Sequence, residues 1–317
     1  MIRITDKTLS CLDGYDASPE QLRILCGLLL ELGTDFTELS VSAYQKIGTL
    51  PQNGKYILRV KDVIEARKFP GFDRYICRHS GFVTPIEVVA EIQVNDITEI
   101  SLLRQYQKHA NVRLTGLDDI MCHDFKTAFR QITKNITGKI ELCPENRYFC
   151  ATAIAVEWIL FGGGNVVASF AGIGDSAPLE EILMALRLEL RYKPNMNYAV
   201  YPRITELFEE ITGLKIPQHK PIIGSNIFDV EAGIHADGIS KDPNIYEPFD
   251  PELVGDKRCL VLGKHSGKVA VALKLKELGI TEDSTDISTL LDAVREKSIE
   301  QQSSLTDQDF LELVNAM

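Results

Sequence analysis

Short runs of strand-forming residues alternate with amphipathic helical stretches through the first two-thirds of this chain, and that alternation narrows the possible folds more than any other feature. Residues 2–5 read as a strand. Ser18-Pro19-Glu20 then supplies a hydroxyl cap, a proline suited to the first helical position and an acid for the first turn. Leu22, Leu25, Leu29 and Leu32 recur behind it at helical spacing, and Gly33 stops the helix. The next strand is expected at 36–40, with others at 56–60, 75–78, 112–115, 139–143, 166–170 and 222–225. Strands joined through helices run parallel with right-handed crossovers. Eight such units would close into an α/β TIM (β/α)8 barrel, which carries its active site at the C-terminal ends of the strands. An open doubly wound sheet is the alternative, but no GxGxxG follows the first strand, so no dinucleotide site is expected.

Beyond Gly224 the character changes. Residues 229–268 are rich in Gly, Pro, Asp and His and lack a clean period, as functional or connecting segments do. A helix returns at 269–278, with Val271, Leu275 and Leu278 on one face, and one or two more are expected after Ser284. The expected division is a barrel domain at 1–224 and a small, mainly helical subdomain at 225–317. With 317 residues the chain can bury cores for both. A formal net charge of -11 speaks against nucleic-acid or anionic-membrane partners, which reward clustered Lys and Arg. Seven scattered cysteines without a CxxC pair fit reduced thiols, and neither a signal peptide nor a membrane-length apolar run is visible. A cytoplasmic protein is expected.

The segment Pro221-Ile222-Ile223-Gly224-Ser225-Asn226 leads into Glu231-Ala232-Gly233-Ile234-His235-Ala236-Asp237-Gly238. Lys241-Asp242-Pro243, Tyr246-Glu247-Pro248-Phe249-Asp250-Pro251 and Leu262-Gly263-Lys264-His265-Ser266-Gly267-Lys268 follow. Together these motifs closely resemble the homocitrate synthase branch of the homocitrate synthase/2-isopropylmalate synthase family, and weaker resemblance covers most of the remainder. No leucine-sensing domain is expected after the helical tail, which favours the shorter type of synthase that serves nitrogen fixation. The resemblance implies a TIM barrel with a divalent metal, Mg or Mn, and a lid subdomain that reaches over the partner subunit's barrel. It also implies a Claisen condensation: acetyl-CoA loses a methyl proton, the carbanion attacks the ketone of a 2-oxo acid, and the thioester is hydrolysed. Such chemistry calls for a Lewis acid on the oxo acid, a base near the methyl group and a donor for the enolate.

In the metal half, this sequence departs from the family pattern. Where the family's first strand usually ends Thr-Leu-Arg-Asp-Gly, Ser10 replaces Arg and Cys11 replaces Asp, although Asp13-Gly14 follows two residues later. Where a sixth strand usually ends His-x-His-Asn-Asp, the chain reads Cys143-Pro144-Glu145-Asn146-Arg147. The next strand's Thr-x-Asn-Gly-x-Gly-Glu-Arg becomes Ser169-Phe170-Ala171-Gly172-Ile173-Gly174-Asp175-Ser176, which keeps only the glycines. Two outcomes are open. Asp13, Cys143 and Glu145 could hold a softer ion such as zinc, or Glu145 and Arg147 could replace the metal by an ion pair.

The lid half matches. His235 corresponds to the family's lid His and Tyr246 to its lid Tyr, with Glu231 a candidate for orienting His235. Ser266, Gly267 and Lys268 are candidates for the phosphates of CoA, and the remaining histidines, His79, His109, His123 and His219, are expected on helix faces or turns. Three functions follow. The first is an alpha-type subunit of a split synthase, of the kind known in nitrogen-fixing clostridia, supplying its lid in trans to a metal-competent subunit with 2-oxoglutarate favoured. The others are an autonomous synthase with an unusual metal site and a non-catalytic regulatory paralogue. In each, acetyl-CoA and a homo- or hetero-oligomeric partner are the expected associates.

Overall fold

The computed structural model describes residues 1–78, 85, 87–280 and 286–316. His79 and Ser284 lie outside the described residues. The chain divides into two compact units, Met1–Ile216 and Pro217–Met317.

The first unit is a closed barrel of eight parallel strands, paired β1-β2-β3-β4-β5-β6-β7-β8 and closed by β8 on β1. In chain order these are β1 (Arg3–Asp6), β2 (Phe36–Ser40), β3 (Tyr56–Arg59), β4 (Arg74–Arg78), β5 (Val88–Val94), β6 (Asn111–Gly116), β7 (Lys139–Pro144) and β8 (Asn165–Ala168). The main helices around them are α1 (Pro19–Glu31), α2 (Val41–Ile47), α3 (Val63–Ala66), α4 (Phe125–Asn135), α5 (Ala151–Leu160), α6 (Leu179–Leu190) and α7 (Tyr201–Thr212). α1 begins as its sequence predicts. Ser18 Oγ accepts from Gln21 N at 3.2 Å, and the Gln21 side chain accepts from Ser18 N at 3.0 Å, a reciprocal capping box.

Two sequence expectations are corrected. The eighth barrel strand is not 222–225, which forms turns in the second unit, but Val88–Val94, paired with Arg74–Arg78 on one side and Asn111–Gly116 on the other. Consequently the Cys143–Arg147 motif lies at the end of the seventh strand, not the sixth. A four-residue apolar run does not distinguish a strand from a turn; a free edge on each neighbour does.

The second unit contains β9 (Asp229–Val230), α8 (Gly233–Lys241), α9 (Pro243–Tyr246), β10 (Cys259–Leu260), α10 (Lys268–Glu277), α11 (Ile287–Gln301) and α12 (Asp307–Asn315). β9 and β10 pair in parallel. Leu262, Val271, Leu275, Leu290, Val294 and Phe310 form a hydrophobic core within this unit. No helix among the described residues is long and apolar enough to cross a membrane.

Candidate functional site

At the barrel's carboxyl end, β1 closes on Asp6, whose Oδ1 accepts from Thr8 N at 2.8 Å and from the Thr8 hydroxyl. Thr8 Oγ1 accepts in turn from Phe170 N at 2.8 Å, fastening the loop after β8. Asp6 is wholly buried, and its Oδ2 has no described hydrogen-bond partner. Burial pushes its carboxyl up to about 6.

Ser10, at the usual arginine position, places its hydroxyl 2.9 Å from both Lys7 O and Glu38 Oε1. Cys11, at the usual aspartate position, packs so closely on Gly174 that a Cβ there would lie 2.7 Å from its Sγ. Burial raises the Cys11 thiol to about 11, which favours the neutral, poorly ligating form. Asp13 points outward into a cavity it shares with Ser40, Arg59 and Arg78, and its Oδ1 accepts from Ser40 Oγ. Cys143 is buried at 1% exposure.

Glu145 faces a different cavity of about 500 Å³, lined also by Arg78, Glu91, Gln93, Tyr106 and Arg147. It accepts from Gln93 Nε2 at 3.1 Å and pairs with Arg147 at 3.3 Å. Arg147 also faces Asp118 at 3.8 Å and Asp175 at 3.5 Å. Of the two outcomes the sequence leaves open, the ion pair is therefore formed, whereas Asp13, Cys143 and Glu145 do not converge. Among the described residues no three His, Cys, Asp or Glu side chains are grouped to hold an ion. The donor set does not fit the divalent metal that the resemblance implies.

Beneath this mouth runs a charge lattice that the sequence reading missed. Arg59 donates to Glu38 at 2.8 Å and to both oxygens of Glu91 at 2.8 and 2.6 Å. Arg113, wholly buried, donates to Glu38 through Nη1 and to Glu141 through Nη2 at 3.0 Å, while Arg74 reaches Glu141 at 3.0 Å. Burial would raise the Glu38 carboxyl, but the Arg113 and Arg59 guanidiniums overcome it and hold the group well below the carboxylate range. Glu38 is thus locked as an anion, unsuited to taking a proton. One signal was available: Glu38, Arg113 and Glu141 each interrupt an otherwise strand-like apolar run, as a charge facing inward must.

In the second unit, an open pocket of about 640 Å³ has an apolar wall that includes Ile227, Phe228, Ile239 and Phe249. His235, Tyr246, Glu231 and His265 also line it. The His235 and Tyr246 rings lie 5.8 Å apart between centroids at 49°. The structure thus brings together two residues eleven positions apart in the chain, on α8 and at the end of α9. Glu231 shares the pocket but directs Oε1 to His265 N at 2.6 Å, not to His235. Ser266 is fully buried, its hydroxyl bonded to Gly263 N at 2.9 Å and close to Glu231 O at 3.3 Å. Gly267 caps α10, with open space where a Cβ would stand, and Lys268 is exposed on that helix's first turn.

Comparison with known proteins fits this division. The family profile described as "Homocitrate synthase post-HMGL domain-like" matches residues 222–302. The "Homocitrate synthase, omega subunit" of Clostridium pasteurianum is 29% identical over 308 residues, 90% of this chain and 87% of that protein. Homocitrate synthase AksA of Methanothermobacter thermautotrophicus is 36% identical over 233 residues, 69% of this chain but only 59% of its own length. The subunit label carried by the near-full-length similarity is omega, whereas the sequence reading favoured alpha. Hydroxymethylglutaryl-CoA lyase from Pseudomonas aeruginosa has the same barrel fold, with a TM-score of 0.56 at 14% identity over 68% of this chain and 94% of that one. A barrel of this fold, a C-terminal unit matching the post-barrel profile and identity along nearly the whole chain converge on one assignment: the chain belongs to the homocitrate synthase/2-isopropylmalate synthase family.

Proposed function

We propose that this chain is an acyltransferase subunit of homocitrate synthase type, contributing His235 and Tyr246 to the condensation of acetyl-CoA with a 2-oxo acid on a metal-competent partner subunit. The observation that carries this reading is the asymmetry between the two units. His235 and Tyr246 stand together in an open pocket, while Glu145 at the barrel mouth is tied up by Arg147. Similarity to a protein named as an omega subunit supports an assembly of two kinds of subunit.

In this reading His235 takes the methyl proton of the acetyl group, with an imidazole nitrogen as general base. The Tyr246 hydroxyl donates to the oxygen that becomes the enolate. The apolar wall gives the pantetheine arm a dry surface, and Gly267 and Lys268 at the start of α10 offer N–H groups and a cation to CoA phosphate. A divalent metal held by the partner would supply the Lewis acid that polarises the oxo acid, with 2-oxoglutarate favoured. The seven free cysteines accord with a reducing cytoplasm.

The test is a condensation assay with acetyl-CoA and 2-oxoglutarate, using this chain alone, a metal-competent homocitrate synthase subunit from the same organism alone and the two mixed. Activity is expected of the mixture and should be lost when this chain carries His235→Ala. A mixed complex that keeps full activity with His235→Ala would favour a regulatory role instead.

A further inference from the structure

Gly238 occupies the middle of α8, where glycine is disfavoured relative to alanine. Its backbone does not call for glycine, since its φ is not among the positive ones. The reason lies in what covers it. A Cβ at Gly238 would stand 2.3 Å from Tyr246 Cζ, 2.4 Å from Cε2 and 2.6 Å from the phenol oxygen. The Tyr246 ring therefore lies directly on the glycine, three residues along the helix from His235, on the same face.

A second restraint acts on the next residue along the chain. Glu247, the next residue, is clamped by Arg258 through two parallel bonds of 2.7 Å, with Asp250 a further 3.5 Å contact for the same guanidinium. Arg258 immediately precedes β10, whose partner β9 leads through Glu231 and Ala232 into α8. The strands are joined by Cys259 N to Phe228 O at 3.3 Å and Val261 N to Val230 O at 3.1 Å. Both rings are thus referred to one two-stranded base: His235 through β9 and α8, Tyr246 through β10, Arg258 and Glu247. A bidentate Arg–carboxylate pair fixes direction as well as distance, which a lone lysine would not.

We infer that Gly238 and the Glu247–Arg258 clamp are positioning residues that set the Tyr246 phenol against the His235 imidazole. The inference rests on the proposed roles of His235 and Tyr246 for its kinetic consequence, and on geometry alone for its structural one. Two readouts separate them. In the full chain, the through-space NMR contact between the His235 and Tyr246 rings should be present, lost in Gly238→Ala and weakened in Glu247→Gln. The double variant Glu247→Arg/Arg258→Glu should restore it. Helical content by circular dichroism should stay constant in Gly238→Ala, because alanine is the better helix former.

In the mixed-subunit assay, Gly238→Ala should lower kcat roughly 10–100-fold while leaving KM for the 2-oxo acid near its original value, the cost of a misplaced group. His235→Ala and Tyr246→Phe run alongside. If those two leave the rate unchanged, the proposed function fails and the NMR arm still decides the positioning. If they abolish the rate while Gly238→Ala and Glu247→Gln preserve both the ring contact and kcat, the positioning inference is overturned.

Discussion

Arg113 on β6, with no solvent exposure, bridges Glu38 on β2 and Glu141 on β7 through different nitrogens of one guanidinium. The bridge spans the inside of the barrel, where most members of this fold class pack apolar layers. Because Glu38 and Glu141 are also buried, removing the arginine strands at least one carboxylate in a medium that cannot solvate it. Arg113→Ala should therefore destabilise the chain by roughly 3–5 kcal/mol, measured as a shift in urea midpoint at constant slope. Arg147→Ala breaks a pair in which the arginine is 62% exposed and should cost roughly 0–1 kcal/mol. Equal effects of the two changes would contradict the lattice as a buried element.

Asp6 gives a pH dependence with a defined sign. Its folded value of about 6 lies above the ordinary 3.8, because burial opposes ionisation. A penalty therefore develops as pH rises from about 4 through 6, and it is absent below that window. Asp6→Asn can keep the acceptor used by Thr8 and never ionises. Relative to the parent, the Asn variant should gain of the order of 3 kcal/mol between pH 4 and pH 7. A difference that stays flat across the window in chemical denaturation would show that Asp6 is not buried as described.

Phe149 follows the Glu145–Arg147 pair with φ at 56° and 90% of its surface exposed. A bulky residue in the left-handed region is strained, and burial does nothing to offset it here. Phe149→Asn should raise stability by roughly 0.5–1 kcal/mol, read as a higher denaturation midpoint. Loss of stability would mean that the ring makes a contact outside the chain.

The barrel's unfitted donor set predicts indifference to divalent ions. A resident metal at 100 times its dissociation constant would stabilise the chain by about 2.7 kcal/mol. Titrating Mg2+ or Mn2+ into the isolated chain should leave the Tm unchanged, and chelator treatment should do the same. A saturable rise in Tm would reveal ligands that the separated Asp13, Cys143 and Glu145 do not supply.

Much of this molecule was written locally in its chain. The Ser18 cap, the leucines of α1 and Gly33 are neighbours in sequence and in space, so short-range propensity was enough to find the helix. The pairing of His235 with Tyr246 is equally local, because both fall within twelve consecutive positions. Tertiary structure decided the rest. Whether 88–94 or 222–225 completes the barrel depends on which segment meets the free edges of β4 and β6, and pairing partners are not encoded in a strand's own pattern. The Arg59, Arg113, Glu38, Glu91 and Glu141 lattice draws on five strands, with partners up to 75 residues apart. Only closure of the sheet makes those separations short, and only the loss of water inside it gives the charges their strength.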